Sequence, residues 1–211
     1  MGTKMFTEMS EEERANLTNV SSLETFFERV HEVQENPVGY RVGYWSTDPC
    51  YMSLFFLVQA HDIDHVFECG TCAGVSATVM ALGMDLNSKD GMVYTWDIVR
   101  RAPFKFEEGT YYQNMIKRFI QNYAEGVEVC SSQISGKKLF FIDGNHLTTP
   151  CMEDLRATLK CVKPGDVIAL HDAHRSQVRN AIDIVLKEPE TPPILKSYLI
   201  STKTGMYVIE V

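Results

Sequence analysis

From His65 onward, short β-like runs alternate with helical stretches, and this alternation constrains the fold more than any other feature of the chain. The runs are His65–Glu68, Met92–Asp97, Val127–Cys130, Lys138–Asp143 and Asp166–His171, then Leu195–Ser201 and Gly205–Val211. Helical stretches fill the intervals at Ser76–Leu86, Tyr111–Tyr123, Thr149–Cys161 and Gln177–Leu186. Strands joined through helices of this length run parallel, because each crossover returns the chain to the same sheet edge, and the helices cover both faces. Only Thr202, Lys203 and Thr204 separate the last two runs, too few for a crossover, so these pair antiparallel. The expectation is an α/β fold with a doubly wound, seven-stranded sheet, mostly parallel and closed by a C-terminal antiparallel hairpin.

Upstream, Ser10 and Glu13 form a capping box ahead of Leu17, Val20, Leu23, Phe26, Phe27 and Val30 at helical spacing, which predicts N-terminal amphipathic helices over Ser10–Val33. Asn36–Pro49 breaks the pattern with Gly, Pro and aromatic residues, and Ser46, Thr47 and Asp48 offer N-caps to a helix over Tyr51–Ala60. With 211 residues and 45% hydrophobic content, the chain suits one globular unit. Residues 1–50 read as a helical cap bordering the substrate, and residues 51–211 as the main domain.

A net charge of −8, with no Lys/Arg run, excludes nucleic acid as a default partner. No apolar run reaches the ~20 residues that span a bilayer, and the N-terminus is acidic and polar, so the expectation is a cytoplasmic protein with no membrane partner. The six cysteines are scattered over a chain too large to need disulfide staples. Cys69 and Cys72 form a lone CxxC with no second pair, and read as small loop and core residues. The amphipathic N-terminal segment offers a face for a twin subunit, so a homo-oligomer stands open.

The run from Val66 to Ser76 sits where the first strand turns into a helix, the sheet edge at which ligands bind in open parallel sheets. Gly70 and Gly74 suit a tight ligand-cradling turn. Glu68 places a carboxylate beside it, favourable to an ammonium group and repulsive to a pyrophosphate. A dinucleotide GxGxxG starting at Gly70 would need glycine where Cys72 and Val75 stand, which argues against a nicotinamide-dependent oxidoreductase. One strand later, Asp97 can accept hydrogen bonds from both ribose hydroxyls of an adenosine, or simply cap a turn.

Taken together, these residues resemble the class I S-adenosylmethionine (SAM)-dependent methyltransferases. Glu68-x-Gly70-x-x-x-Gly74-x-Ser76 is similar to their first motif, Asp97 to the ribose-binding acid, Phe140-Phe141-Ile142-Asp143-Gly144 to the fourth strand, and Lys163-Pro164-Gly165-Asp166 to the turn before the fifth. The absent middle glycine followed by Ser76 resembles the catechol and caffeoyl-CoA O-methyltransferase branch. The Ile-Asp-Gly-x-His and His-Asp-Ala strand ends resemble methyltransferases of antibiotic and sugar tailoring.

The resemblance implies a Rossmann-like fold and SAM as cofactor, held by Glu68, Gly70, Thr71, Gly74, Ser76, Asp97 and Asp143, with Ser132 and Gln133 near the adenine at the end of the third strand. It also implies a small-molecule hydroxyl acceptor and a divalent cation, Mg2+ or another, at Asp143 and Asp172. The branch expects Asn after the second acid, where this chain has Ala173, so His171 or His174 would take the third ligand position. A basic residue three positions after the first acid would deprotonate the acceptor, and here that residue is His146, with His171 as the substitute.

Read without the resemblance, Asp143 and Asp172 equally cap turns or contact a methionine moiety, and His174 is a solvated loop residue. Tyr111, Tyr112, Met115 and Phe119 read as helix packing, while Trp45 reads equally as pocket lining and as core. A SAM-binding module without catalysis is the competing function, since fold does not guarantee chemistry.

Overall fold

The computed structural model describes residues 49–72, 74–99 and 113–211. The expected N-terminal helices, Trp45, the loop 100–109 and all but the last two residues of segment 1–50 lie outside the described residues. The described chain runs α1 (Pro49–Ala60), β1 (His65–Cys69), α2 (Val75–Leu86), β2 (Val93–Asp97), β3 (Ile116–Ile120), α3 (Tyr123–Ser132), β4 (Lys138–Ile142), α4 (Thr148–Leu159), β5 (Val167–Leu170), α5 (Ser176–Val185), β6 (Lys196–Ile200) and β7 (Met206–Glu210).

Alternation along the strands decides the layering. Leu139 and Phe141 of β4, Val167 and Ala169 of β5, and Met206 and Val208 of β7 pack on one face with α1 and α2. Phe140, Ile142, Ile168, Leu170, Tyr207 and Ile209 pack on the other with α3, α4 and α5. Both sides of these strands are apolar, so both need cover, as in doubly wound sheets. The strand order is β3-β2-β1-β4-β5-β7-β6, in one seven-stranded sheet. The first five strands of that order pair parallel, and β7 pairs antiparallel with both β5 and β6. This is the expected fold.

An aromatic ladder crosses four strands, with ring centroids 4.7 Å apart from Phe119 to Trp96, 6.2 Å from Trp96 to Phe67 and 5.1 Å from Phe67 to Phe140. Stacked pairs of this kind contribute about 0.5–1.5 kcal/mol each beyond their buried area. Among the described residues no helix is long and apolar enough to cross a membrane.

One pair of elements reverses the sequence expectation. A helix was expected over Tyr111–Tyr123 and a strand over Val127–Cys130; Ile116–Ile120 is instead strand β3, and Val127–Cys130 lies inside helix α3. As an edge strand with a single neighbour, β3 carries Lys117 and Arg118 among its apolar residues, and Met115 and Phe119 fall four apart, which imitates a helix. Pairing with β2 decides the matter, because it sets Phe119 on the Trp96 ring. In α3, Val127 is buried but Val129 is 63% exposed, so the alternating valines do not make a strand. The overlooked signal was Asn122, whose side chain accepts from the Ala124 amide at 2.8 Å and caps the helix, with Glu125 in its first turn.

Candidate active site

The register of the sheet assembles the site. Cys69 of β1 faces Ile142 of β4, and Ile142 faces Leu170 of β5. One residue further, the Asp143 amide donates to the Cys69 carbonyl at 2.8 Å and the His171 amide to the Ile142 carbonyl at 3.0 Å. Gly70, Asp143 and His171 are therefore neighbours on one carboxyl edge. A Cβ on Gly70 would lie 2.2 Å from the Asp143 carbonyl oxygen, and its φ of 99° is left-handed, so this turn requires glycine.

Glu68 shares the sheet face of Val66 and so lies under the loop, against the first turn of α2. It is fully buried. The Ser76 hydroxyl donates to its Oε1, and the Thr95 hydroxyl donates to its Oε2 at 2.5 Å. With its proton given to Glu68, Thr95 accepts from the Thr71 hydroxyl, 2.7 Å away. Burial pushes the Glu68 carboxyl up to about 8, against the opposing pull of the two hydroxyls. The sequence reading left this carboxylate open to an ammonium group; the structure closes it in as a brace for Thr71, Ser76 and the loop between them.

Asp97 ends β2 beside the same loop. Its Oδ2 accepts from the Cys72 amide at 3.0 Å and its Oδ1 from the Val99 amide at 3.2 Å. Gly74, at φ 78°, is the N-cap of α2 and leaves that helix end without a side-chain cap. The positive dipole end of this helix suits a carboxylate such as that of a methionine moiety.

Beside the loop, Asp143, His146, His171 and Asp172 bring one ligand atom each within 4.8 Å of one another. His146 Nε2 lies 3.1 Å from Asp143 Oδ1 and 3.0 Å from Asp172 Oδ2. His171 Nδ1 lies 3.1 Å from Asp143 Oδ1 and 3.8 Å from Asp172 Oδ2. Asp172 takes a left-handed φ of 54°, a conformation that costs about 1–3 kcal/mol outside glycine and is typical of functional turns. The Arg175 guanidinium holds its Oδ2 at 3.2 Å.

Burial pushes the Asp143 carboxyl up, but the His146 hydrogen bond and the close approach and charge of both the His146 and His171 rings outweigh it and hold the group below the usual carboxylate range. For His171, burial pulls downward, yet Asp143 and the Cys50 thiol carry it up to about 10. A ring that holds its proton this firmly is a poor proton acceptor at neutral pH. Behind the loop, Cys69 Sγ donates to Asp154 Oδ2 at 3.3 Å, and burial pushes this second carboxyl up to about 6. Asp154 lies mid-helix in α4 with no motif around it, and the sequence reading missed it.

The structure thus brings together Glu68, Gly70, Thr71, Gly74, Ser76, Asp97 and Asp143, and joins Asp143 to His146, His171 and Asp172. It does not bring in Ser132 and Gln133. They end α3, and Gly136 just beyond them packs on Asp64 ahead of β1, so they lie toward the opposite, amino-terminal edge of the sheet. The third-strand end they were expected to occupy belongs to Ile120 and Gln121. Nor does His174 join the cluster: its ring donates to the Thr202 carbonyl, with Nε2 at 3.2 Å, and so faces the hairpin turn. Ala173 is buried and offers no ligand, leaving His171 and His146 as the nitrogen neighbours of the two acids.

A seven-stranded sheet of this order, with a glycine turn after β1 and acids at the ends of β2, β4 and β5, defines the class I SAM-dependent methyltransferase architecture. The family model described as a methyltransferase domain matches residues 67–173, half of the chain, and the chain belongs to that family. No curated protein sequence matches it.

Among solved structures, the O-methyltransferase from Bacillus cereus in complex with S-adenosylhomocysteine (SAH) is 17% identical, with a TM-score of 0.61 over 90% of this chain and 91% of its own. TomG of Streptomyces achromogenes, an O-methyltransferase of tomaymycin synthesis in complex with SAM, is 15% identical, with a TM-score of 0.58 over 96% and 99%. The mycinamycin-pathway methyltransferase MycE, in complex with Mg, SAH and mycinamycin VI, is 13% identical, with a TM-score of 0.52 over 77% of this chain and 47% of its own. At these identities the likeness is one of fold.

Proposed function

We propose that the protein transfers the methyl group of SAM to a hydroxyl of a small molecule, with His146 as the proton acceptor. The observation that carries this reading is the meeting of Asp143, His146, His171 and Asp172 on the sheet edge beside the Gly70 turn. SAM supplies an electrophilic methyl carbon on a sulfonium and leaves as SAH. The donor set also suits a divalent cation at Asp143, Asp172 and His171, which when bound lowers the pKa of a ligated hydroxyl.

The chain's own residues do the rest. The α2 N-terminus and the loop braced by Glu68 hold the methionine end, and Asp97 accepts the ribose hydroxyls. Asp143 and Asp172 both face His146 Nε2, so this nitrogen carries the proton and the ring presents Nδ1 as the basic atom. In the transition state His146 Nδ1 takes the acceptor's hydroxyl proton while the oxygen attacks in line. His171 keeps its own proton or serves the cation; it is not the base.

Turnover of SAM to SAH, followed across a panel of hydroxyl-bearing small molecules, tests the reading. His146→Ala should lower kcat about 10²–10⁴-fold while SAH binding is unchanged. Tight SAH binding with no turnover on any acceptor would instead make the protein a binding module.

A further inference from the structure

The cation position named above has one feature that oxygen-only sites lack. His171 Nδ1 is buried and makes no aligned hydrogen bond, although Asp143 Oδ1 is only 3.1 Å away. Two donor atoms that approach this closely without pointing at each other are arranged as co-ligands are, toward a shared third point. The other ring nitrogen is already occupied: the Thr204 hydroxyl lies 3.1 Å from His171 Nε2. Thr204 is in turn held by Cys50 Sγ at 3.1 Å, and the same thiol meets the Thr202 hydroxyl at 2.8 Å. The hairpin turn is keyed to the strand end as well, the Ala173 amide donating to the Gly205 carbonyl and the His174 amide to the Thr204 carbonyl, each at 3.0 Å. The imidazole is therefore clamped by its outer nitrogen with Nδ1 aimed inward, the usual way a metal-ligating histidine is oriented, and a dication bound there displaces the Nδ1 proton that Asp143 otherwise retains.

Resting on the methyltransferase reading for its catalytic meaning only, we propose that Asp143, Asp172 and His171 Nδ1 form a site for a first-row transition dication rather than for Mg2+. Mg2+ is a hard ion that takes oxygen ligands and keeps its waters, and a buried imidazole nitrogen is a poor donor to it. Zn2+ and Co2+ bind imidazole and carboxylate together, and nitrogen ligation raises their affinity along the divalent series. The two acids and one nitrogen leave positions free for an acceptor oxygen. His146 Nε2, 3.0–3.1 Å from both acids, is an outer hydrogen-bond partner of the ligands. Thr204 is a positioning residue that acts through His171.

The test uses the full chain stripped with chelator and titrated with Co2+, Zn2+ and Mg2+, followed by calorimetry and by the visible absorption of bound Co2+. Co2+ should bind at least ~100-fold more tightly than Mg2+. His171→Ala should abolish that preference, and Thr204→Val should weaken Co2+ about tenfold with recovery in Thr204→Ser. His146→Ala, which removes an outer hydrogen-bond partner of both acids, should weaken Co2+ about tenfold but leave the preference for Co2+ over Mg2+ intact. Equal affinity for Mg2+ and Co2+, binding of neither, or an unchanged Co2+ spectrum in a folded His171→Ala protein overturns the proposal. SAH binding, measured on the same samples, reports separately on the methyltransferase reading: its absence with Co2+ binding intact defeats that reading and not the metal site.

Discussion

Glu68 and His146 show how much one side chain's surroundings decide. A glutamate at the end of a buried strand is ionised in the unfolded chain above its ordinary value of 4.5, whereas the folded protein keeps it protonated up to about 8. Between those values the unfolded chain has released a proton that the native state retains, so stability falls as pH rises through the window. Glu68→Gln removes the titration, and thermal melts from pH 5 to pH 8.5 should show a flatter decline in Tm for the variant than for the parent; parallel profiles would mean that Glu68 is already ionised in the fold. His146 has the opposite character. It is partly exposed and its Nε2 is set by two acids, so under the proposed mechanism its truncation should lower kcat and leave Tm near that of the parent.

Elements matter through their register and their turns. The Gly70 turn is tolerable only without a side chain, since a Cβ there meets the Asp143 carbonyl at 2.2 Å. Gly70→Ala combines a left-handed residue with a backbone clash, and should destabilise the fold by about 2–5 kcal/mol. Chemical denaturation measures this directly; a loss under 0.5 kcal/mol, the size of an ordinary surface change, would show that the turn rearranges at little cost. Gly144 belongs to the same junction, because a Cβ there would lie 2.6 Å from Cys69 Sγ. At the C-terminus the β6–β7 turn is part of the site, since Thr204 reaches His171 from it. Strand β3 is the element whose identity local pattern misjudged, and with it went Ser132 and Gln133.

For the whole molecule, ligand linkage is the broadest check. A ligand that binds only the native state adds about 2.7 kcal/mol at 100 times its Kd, which for a chain of this size raises Tm by roughly 5–10 °C. SAH should produce such a shift and NADH at the same concentration should not; an equal response to NADH would revive the nicotinamide reading that the Gly70 loop argues against.

Periodicity determined the doubly wound sheet and the closing hairpin, and short motifs read with the family resemblance picked out Gly70, Asp97, Asp143, His146, His171 and Asp172 at or just past strand ends. Tertiary structure alone decided the rest. Whether Ile116–Ile120 pairs as a strand depends on the open edge of β2 and the Trp96 ring, neither of which is local in sequence. That Glu68 turns inward follows from the sheet face it shares with Val66, and that His171 rather than His174 meets the acids follows from which ring the hairpin turn claims. Spacing along a chain places residues on edges and faces; the direction of a side chain at an edge is set by partners that arrive from elsewhere in the fold.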